Sequence, residues 1–183
     1  EVMSQADLFI YTRWEYFVGT WDSQSLMDTT AEPIKRPPYD YDGFLDVIMD
    51  NVENRGMGFM PLHCTIAHYR NTKFCDFMGV RTMMHGPTQT VHMHNFNQSH
   101  PISRGIDDFD LGLDENFGIE LTDPTAVPLY ESTGLNDKRH DIAGWCVERG
   151  KGRIVGLAAG HTHTGLGATR ITSNSMYGAR TGL

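Results

Sequence analysis

Two histidines of this sequence each follow an apolar run, and their placement makes them candidate functional residues. His63 follows GFMPL (58–62), and His161 follows RIVGLAAG (153–160). Ligands of α/β proteins bind at the carboxyl ends of the central strands, so two strands ending here would bring both imidazoles to one edge. Paired imidazoles support acid/base chemistry or bind a divalent metal such as Zn²⁺. We therefore expect His63 and His161 to be catalytic residues or metal ligands.

A carboxylate would complete such a site, and Glu115 is the first choice as a catalytic or metal-ligating third group. It lies in the segment DENFG (114–118). Two alternatives remain open: Asp114 and Glu115 form a solvated turn, or each histidine only caps its strand by a hydrogen bond. Two further histidines are weaker candidates. His68 lies about one helical turn beyond His63. His163 follows His161 by two residues and would point to the opposite side of an extended segment.

His92 and His94 have the i, i+2 spacing that places both side chains on one face of a strand, as in some metal sites. Val91 and Met93 would then face the core. Because no third ligand stands nearby in the sequence, an exposed edge strand is the favoured interpretation. His100 begins a His-Pro-Ile motif, where we expect a structural role in a loop.

The elements that must position these residues alternate between strands and helices. Residues 41–54 are predicted to form an amphipathic helix that Gly56 ends, because apolar residues recur there at the spacing of one buried face. A second helix is predicted for residues 68–78. Strands are predicted for residues 6–12, 58–62, 89–96 and 126–132, for a short segment near the end of 101–118, and for a hairpin of 144–148 and 153–160.

Residues 14–38 are irregular and predict a long loop. This loop carries flat aromatic side chains beside polar groups, a combination that suits a sugar ligand as well as local packing. The residues concerned are Trp14, Tyr16, Phe17 and Trp21, with Arg13, Glu15 and Asp22.

The order of these elements predicts a single α/β domain over residues 1–183. Its sheet should be mainly parallel and flanked by helices, with some antiparallel additions. The sequence begins as if inside a helix and ends without a convincing one. We therefore expect the first strand–helix unit and a closing helix of the fold to be missing from this chain.

Composition excludes several classes of partner. The net charge is −8 and no basic stripe interrupts the sequence, which argues against nucleic acid. No apolar run approaches the roughly 20 residues that a membrane-spanning helix needs. The three cysteines stand at irregular spacing. They predict free thiols in a reducing compartment rather than a disulfide framework.

Several motifs, taken together and in this order, resemble the ThuA-like (trehalose utilisation) family. They cover roughly residues 6–170 and comprise ADLFIYT, GMGFMPLHCTIAH, FCDFMG, SHPISRGIDDFDLGLDENFG, Gly144-Trp145 and GKGRIVGLAAGH. The resemblance implies a flavodoxin-like fold similar to that of class I glutamine amidotransferases. It also implies a role in bacterial sugar metabolism.

The same resemblance places His63 at the turn where class I amidotransferases carry a nucleophilic cysteine, and His161 where they carry their histidine. Cys64 stands one position later, and the glycines that let such a turn bend tightly are absent. Cys64 with His161 as its base is an alternative that would make the protein an amidase-type hydrolase. Cys64 as a small buried residue is the simpler interpretation.

We therefore expect a cytoplasmic enzyme that acts on a sugar or an oxidised sugar through His63, His161 and Glu115. An imidazole is suited to moving the proton next to a sugar ketone, and a divalent metal such as Zn²⁺ would polarise that ketone. The expected partner is a small-molecule sugar, without nucleic acid or membrane, and a homo-oligomer is left open. A non-catalytic sugar-binding protein on the same fold is the remaining alternative.

Overall fold

The computed structural model describes residues 3–12, 40–66, 72–136 and 138–161. The predicted loop over residues 14–38, with its aromatic cluster, lies outside these ranges. The described elements are β1 (Leu8–Tyr11), α1 (Tyr41–Asp50), β2 (Gly58–Pro61), α2 (Thr72–Met78), β3 (Val80–His85), β4 (Gln89–Asn95), β5 (Phe109–Asp114), β6 (Phe117–Leu121), β7 (Val127–Gly134), β8 (His140–Arg149) and β9 (Gly152–Leu157).

The main sheet has seven strands in the order β1-β2-β9-β8-β7-β4-β5, and β3 and β6 form a separate pair. The β1–β2 and β2–β9 pairings are parallel, whereas β9–β8, β8–β7, β7–β4 and β4–β5 are antiparallel. The protein is therefore mixed α/β, and the expected mainly parallel, flavodoxin-like sheet is not confirmed. Short connections explain the difference, because a tight turn can join only antiparallel strands, as between β8 and β9.

Helix α1 confirms the predicted amphipathic helix. The Asp40 carboxylate caps it by accepting the Gly43 backbone N–H at 2.9 Å. The helix continues as a π-helical turn over Asn51–Arg55 and ends at Gly56, whose φ of 90° is left-handed and favours glycine. Its buried face packs on the sheet through Leu45, Ile48, Met49 and Val52.

The region between residues 79 and 121 departs most from the sequence prediction. Strand β3 is absent from the sequence prediction, and the segment 101–118, expected to hold one short strand, contains β5 and the first two residues of β6. In β3, exposed Met83 and Met84 hide the alternation that a strand normally shows. In β5, Gly112 has a φ of 77° and a register irregularity falls between Val91 and His92 of its partner, which breaks the apolar pattern.

None of the described helices is long and apolar enough to cross a membrane.

Trp145 of β8 lies at the centre of the core and is fully buried. Its indole N–H donates to the Met78 carbonyl at 3.0 Å, which ties the sheet to the end of α2. Gly156 of β9 faces the indole across the hairpin, and a Cβ added there would lie 2.3 Å from ring atoms of Trp145. The large indole therefore requires glycine at position 156.

Gly156→Ala is expected to lower the free energy of unfolding by about 3 kcal/mol, since overpacking a closed core forces side chains and backbone to shift. Urea denaturation of the two proteins measures this difference. An unchanged midpoint and slope would contradict the tight contact between Gly156 and Trp145.

Candidate functional site

His63 and His161 follow two neighbouring parallel strands. Strand β2 pairs with β9, and a further bridge joins Leu62 to Leu157, so both histidines leave the same edge of the sheet. Their ring centroids lie 5.4 Å apart. The structure thus brings together the two histidines that the sequence singled out.

The backbone at His63 has the left-handed conformation that a tight strand-to-turn corner requires. Its φ is 43°, one of two positive values among the described non-glycine residues. A non-glycine residue in this region costs about 1–2 kcal/mol, and such strain clusters at functional sites. Gly160 packs against this corner, because a Cβ added there would lie 3.1 Å from the Cβ of His63. The close approach of the two loops therefore depends on Gly160.

Asp114 joins the His161 loop to the end of β5. Its carboxylate is 1% exposed and accepts the backbone N–H groups of Gly160 at 3.0 Å, His161 at 3.3 Å and Glu115 at 2.8 Å. The alternative of a solvated turn is wrong for Asp114. A buried carboxylate that accepts three N–H groups holds its neighbours in a defined arrangement.

Glu115 stands between the two imidazoles. Its Oε2 lies 3.4 Å from Nε2 of His63 and 3.5 Å from Nδ1 of His161. One ligand atom from each of the three residues falls within 4.8 Å of the other two. The His63 side chain is 6% exposed, Glu115 15% and His161 30%, so solvent reaches the group from the His161 side.

The surroundings of the His63 side chain favour a positive charge. Its Nδ1 lies 3.0 Å from Sγ of Cys64. Phe117 packs edge-on against the imidazole, with 5.0 Å between the ring centroids. Burial by itself lowers the pKa of His63, but the contacts with Cys64, Glu115 and Asp114 outweigh it and raise the pKa to about 9. A proton or a metal ion at this position would be stabilised by the two carboxylates.

The donor set suits a divalent metal. Nε2 of His63 is buried and has no hydrogen-bond partner within the described part of the chain. Two imidazole nitrogens and a carboxylate oxygen bind zinc in catalytic sites and non-haem iron in others. Groups behind the ligands also orient them: Thr88 Oγ1 lies 3.4 Å from Nε2 of His161, and Asp114 holds the backbone of both His161 and Glu115.

Cys64 contacts the neighbouring histidine, not the one that the sequence assigned to it. Its Sγ lies 3.0 Å from Nδ1 of His63, and the thiol is half-buried. Cys64, Cys75 and Cys146 are all free thiols, as the irregular spacing predicted.

The remaining candidates have different outcomes. His68 and His163 lie outside the described residues. His100 accepts the Ile102 backbone N–H at 3.3 Å within its own turn, in agreement with a structural role in a loop. The edge-strand interpretation of His92 and His94 is wrong, because β4 is paired on both sides, with β5 and β7.

Sequence reasoning missed Asp114 and Thr88 as supporting residues of the site. No sequence signal distinguishes either from an ordinary surface polar residue, because their partners lie 46 and 73 positions away in the chain.

Solved structures with a similar fold include two that are described as ThuA-like proteins. One from Bacteroides uniformis has 17% identity and a TM-score of 0.53, with 69% of this chain and 57% of that one covered. One from Parabacteroides merdae has 16% identity and a TM-score of 0.53, and the alignment covers 75% of this chain and 60% of that one. A cytoplasmic protein from Salmonella typhimurium LT2 has 14% identity and a TM-score of 0.57, and the alignment covers 84% of this chain and 60% of that one.

At these identities the similarity establishes the fold alone, and the chain spans less than two thirds of each of these structures. A comparison with curated proteins finds no significant match. The family profile of ThuA, described as trehalose utilisation, matches residues 46–179, which is most of the sequence and includes all three residues of the candidate site. The chain therefore belongs to the ThuA (trehalose utilisation) family.

Proposed function

We propose that this protein is a carbohydrate-processing enzyme whose reaction centre consists of His63, Glu115 and His161, and that this centre binds a divalent metal. One observation carries the proposal: three ligand atoms converge within 4.8 Å around a buried imidazole nitrogen that has no hydrogen-bond partner among the described residues. Oε2 of Glu115 lies 3.4 Å from this nitrogen without forming a hydrogen bond to it, and a metal ion held between the two atoms would satisfy the nitrogen and bind the carboxylate. The family description as trehalose utilisation supports a sugar substrate.

When bound, a divalent ion would act as a Lewis acid on a carbonyl or hydroxyl oxygen of the sugar. The residues of the chain would hold the ion and place the substrate oxygen next to it. His63, fixed by Cys64 and Phe117, provides a rigid ligand, whereas the more exposed His161 lies on the side that a substrate reaches. The similar structure from Salmonella typhimurium LT2 is described as a cytoplasmic protein, which supports a cytoplasmic location as part of the proposal.

Metal analysis combined with His63→Ala tests the proposal. The purified protein is stripped with a chelator, reloaded with Zn²⁺, Mn²⁺ or Fe²⁺, and assayed on trehalose and on an oxidised trehalose that carries a ketone. We expect His63→Ala and Glu115→Gln each to bind one ion fewer per chain than the wild type. Turnover should fall by about 10²–10⁴-fold in His63→Ala, the range typical for loss of a catalytic group.

His100→Ala provides the matched histidine control, because His100 lies in a separate turn, and it should retain both metal and turnover. The proposal fails if His63→Ala keeps the metal content and the turnover of the wild type. Sugar binding without turnover, in protein that takes up no metal, would favour a non-catalytic binding protein.

A second candidate is direct acid/base catalysis by the same residues. It is favoured by the raised pKa of His63, about 9, which keeps the imidazole protonated at neutral pH and able to donate a proton to a sugar oxygen. Full turnover after chelation would select this candidate. The contact between Cys64 and His63 supports a third candidate, a thiol-dependent amidase. Labelling of Cys64 by a thiol-directed reagent at neutral pH, blocked by a substrate amide, would favour it, whereas an inert Cys64 would exclude it.

A further inference from the structure

His92 and His94 are held rigidly on one face of an interior strand. Strand β4 is hydrogen-bonded to β5 on one side and to β7 on the other. Val91 and Met93 are each 1% exposed and belong to the core, so the two histidines project from the opposite, outer face. Their ring centroids lie 4.5 Å apart. The paired strand thus fixes the backbone positions of the two residues and places their partly exposed imidazoles side by side.

Asp108 adds a carboxylate to this pair from a different part of the chain. One of its oxygens, Oδ1, accepts the Asn95 backbone N–H at 2.8 Å, which anchors the side chain. The other, Oδ2, lies 3.4 Å from Nδ1 of His94. Asn95 is itself fixed, because its amide donates to the carbonyls of Ser103 and Ile106 in the loop that leads to Asp108.

Further side chains orient the two imidazoles from behind. Oδ1 of Asp110 lies 2.6 Å from Nδ1 of His92. Nε2 of His94 lies 3.0 Å from Thr133 Oγ1, which in turn lies 3.1 Å from Nδ1 of His140. Carboxylates and hydroxyls that bond to a ring nitrogen are the usual outer partners of ligating histidines.

We propose that His92, His94 and Asp108 form a second divalent-metal site, on the outer face of the main sheet and separate from the His63 site. One ligand atom of each lies within 4.8 Å of the other two. Ligands of a tetrahedral zinc ion stand about 3.4 Å apart, given Zn–N and Zn–O bonds of about 2.0–2.1 Å. Rotation of partly exposed side chains covers this difference, and solvent supplies the fourth position. A bound ion would join β4 to the segment that enters β5.

The test is a Zn²⁺ titration of the whole purified chain against a chromophoric chelator. We expect the wild type to bind one Zn²⁺ ion more than His92→Ala. Asp108→Asn, which keeps an oxygen to accept the Asn95 N–H, should weaken binding of that ion by about tenfold or more, because the amide oxygen carries no charge. Asp107→Asn is the matched control, since Asp107 is an exposed neighbour outside the cluster, and its affinity should match that of the wild type.

Combination with His63→Ala separates this site from the proposed reaction centre. In the His63→Ala background, the remaining Zn²⁺ should still disappear when His92→Ala is added. Equal stoichiometry and affinity in the wild type, His92→Ala and Asp108→Asn would overturn the second site, and so would equal weakening by Asp107→Asn and Asp108→Asn. Neither outcome depends on turnover, so this experiment tests the second site independently of the proposed enzymatic function.

Discussion

Asp114→Ala is expected to lower the free energy of unfolding by about 3–5 kcal/mol, because it leaves three backbone N–H groups without their acceptor. These are the N–H groups of Glu115, Gly160 and His161, which the carboxylate accepts at 2.8–3.3 Å. Each buried donor left unsatisfied costs about 1–3 kcal/mol. Water that enters between the loops and accepts these N–H groups would reduce the total loss. Urea denaturation with a constant slope measures the loss.

The same substitution should also reduce turnover and metal binding, because Asp114 holds the His161 loop against Glu115. The matched control is Asp107→Ala, because Asp107 is exposed, precedes the same strand and lies outside both proposed sites. Its effect on the free energy of unfolding should stay within about 0.5 kcal/mol. A loss below about 1 kcal/mol in Asp114→Ala would contradict the role of Asp114 in holding the loop.

Metal-free protein is expected to lose on the order of 3 kcal/mol of stability as the pH rises from about 6 to about 9.5. The pKa of His63 is about 9 in the folded protein and 6.5 in the unfolded chain. A pKa raised by folding adds stability that is fully present below pH 6.5 and is lost as the pH passes through about 9. Each unit of pKa difference corresponds to about 1.4 kcal/mol.

Urea denaturation at several pH values, with a chelator present, measures this dependence. His63→Gln is the comparison, because glutamine keeps a polar side chain but does not titrate. The difference between the two proteins should shrink across this window and so isolates His63 from other groups that titrate there. A difference that grows with pH, or stays constant, would show that Cys64, Glu115 and Asp114 do not together stabilise the imidazolium.

The parts of the fold that were predicted correctly have strong local signals. Helix α1 combines a capping Asp40, one apolar face and a terminal Gly56, and each acts within one turn of the helix. The β8–β9 hairpin has two apolar runs around a Gly-containing turn. Local conformational preference and the burial of one face decide such elements, so the sequence reveals them.

The direction of the strands could not be predicted in the same way. A short continuous apolar run fits a buried strand of a parallel sheet and equally a strand in the core of an antiparallel sandwich, so the connections have to decide the direction. The alternation of strands with helices holds for β1, α1 and β2 but not for β4 to β9, where strands follow one another directly. The mixed sheet is the result.

His92 and His94 illustrate a second limit. Their shared face follows from the two-residue period of a strand, and the structure confirms that Val91 and Met93 face the core. The third group, Asp108, lies 14 positions from His94 and reaches it only because β4 pairs with β5. Residues that are neighbours across two paired strands have no fixed separation in the sequence, so their contact cannot be predicted from spacing.

The residues that we propose as the reaction centre are those that the sequence singles out: His63 and His161 at the ends of two apolar strands, and Glu115 as the carboxylate. Residue type and apolar periodicity suffice for this, because both are local. Three facts come from the folded chain alone: β2 and β9 are adjacent and parallel, Asp114 is buried beneath the His161 loop, and Cys64 contacts His63. Those facts depend on strand pairing between distant segments, which the free energy of the whole core selects.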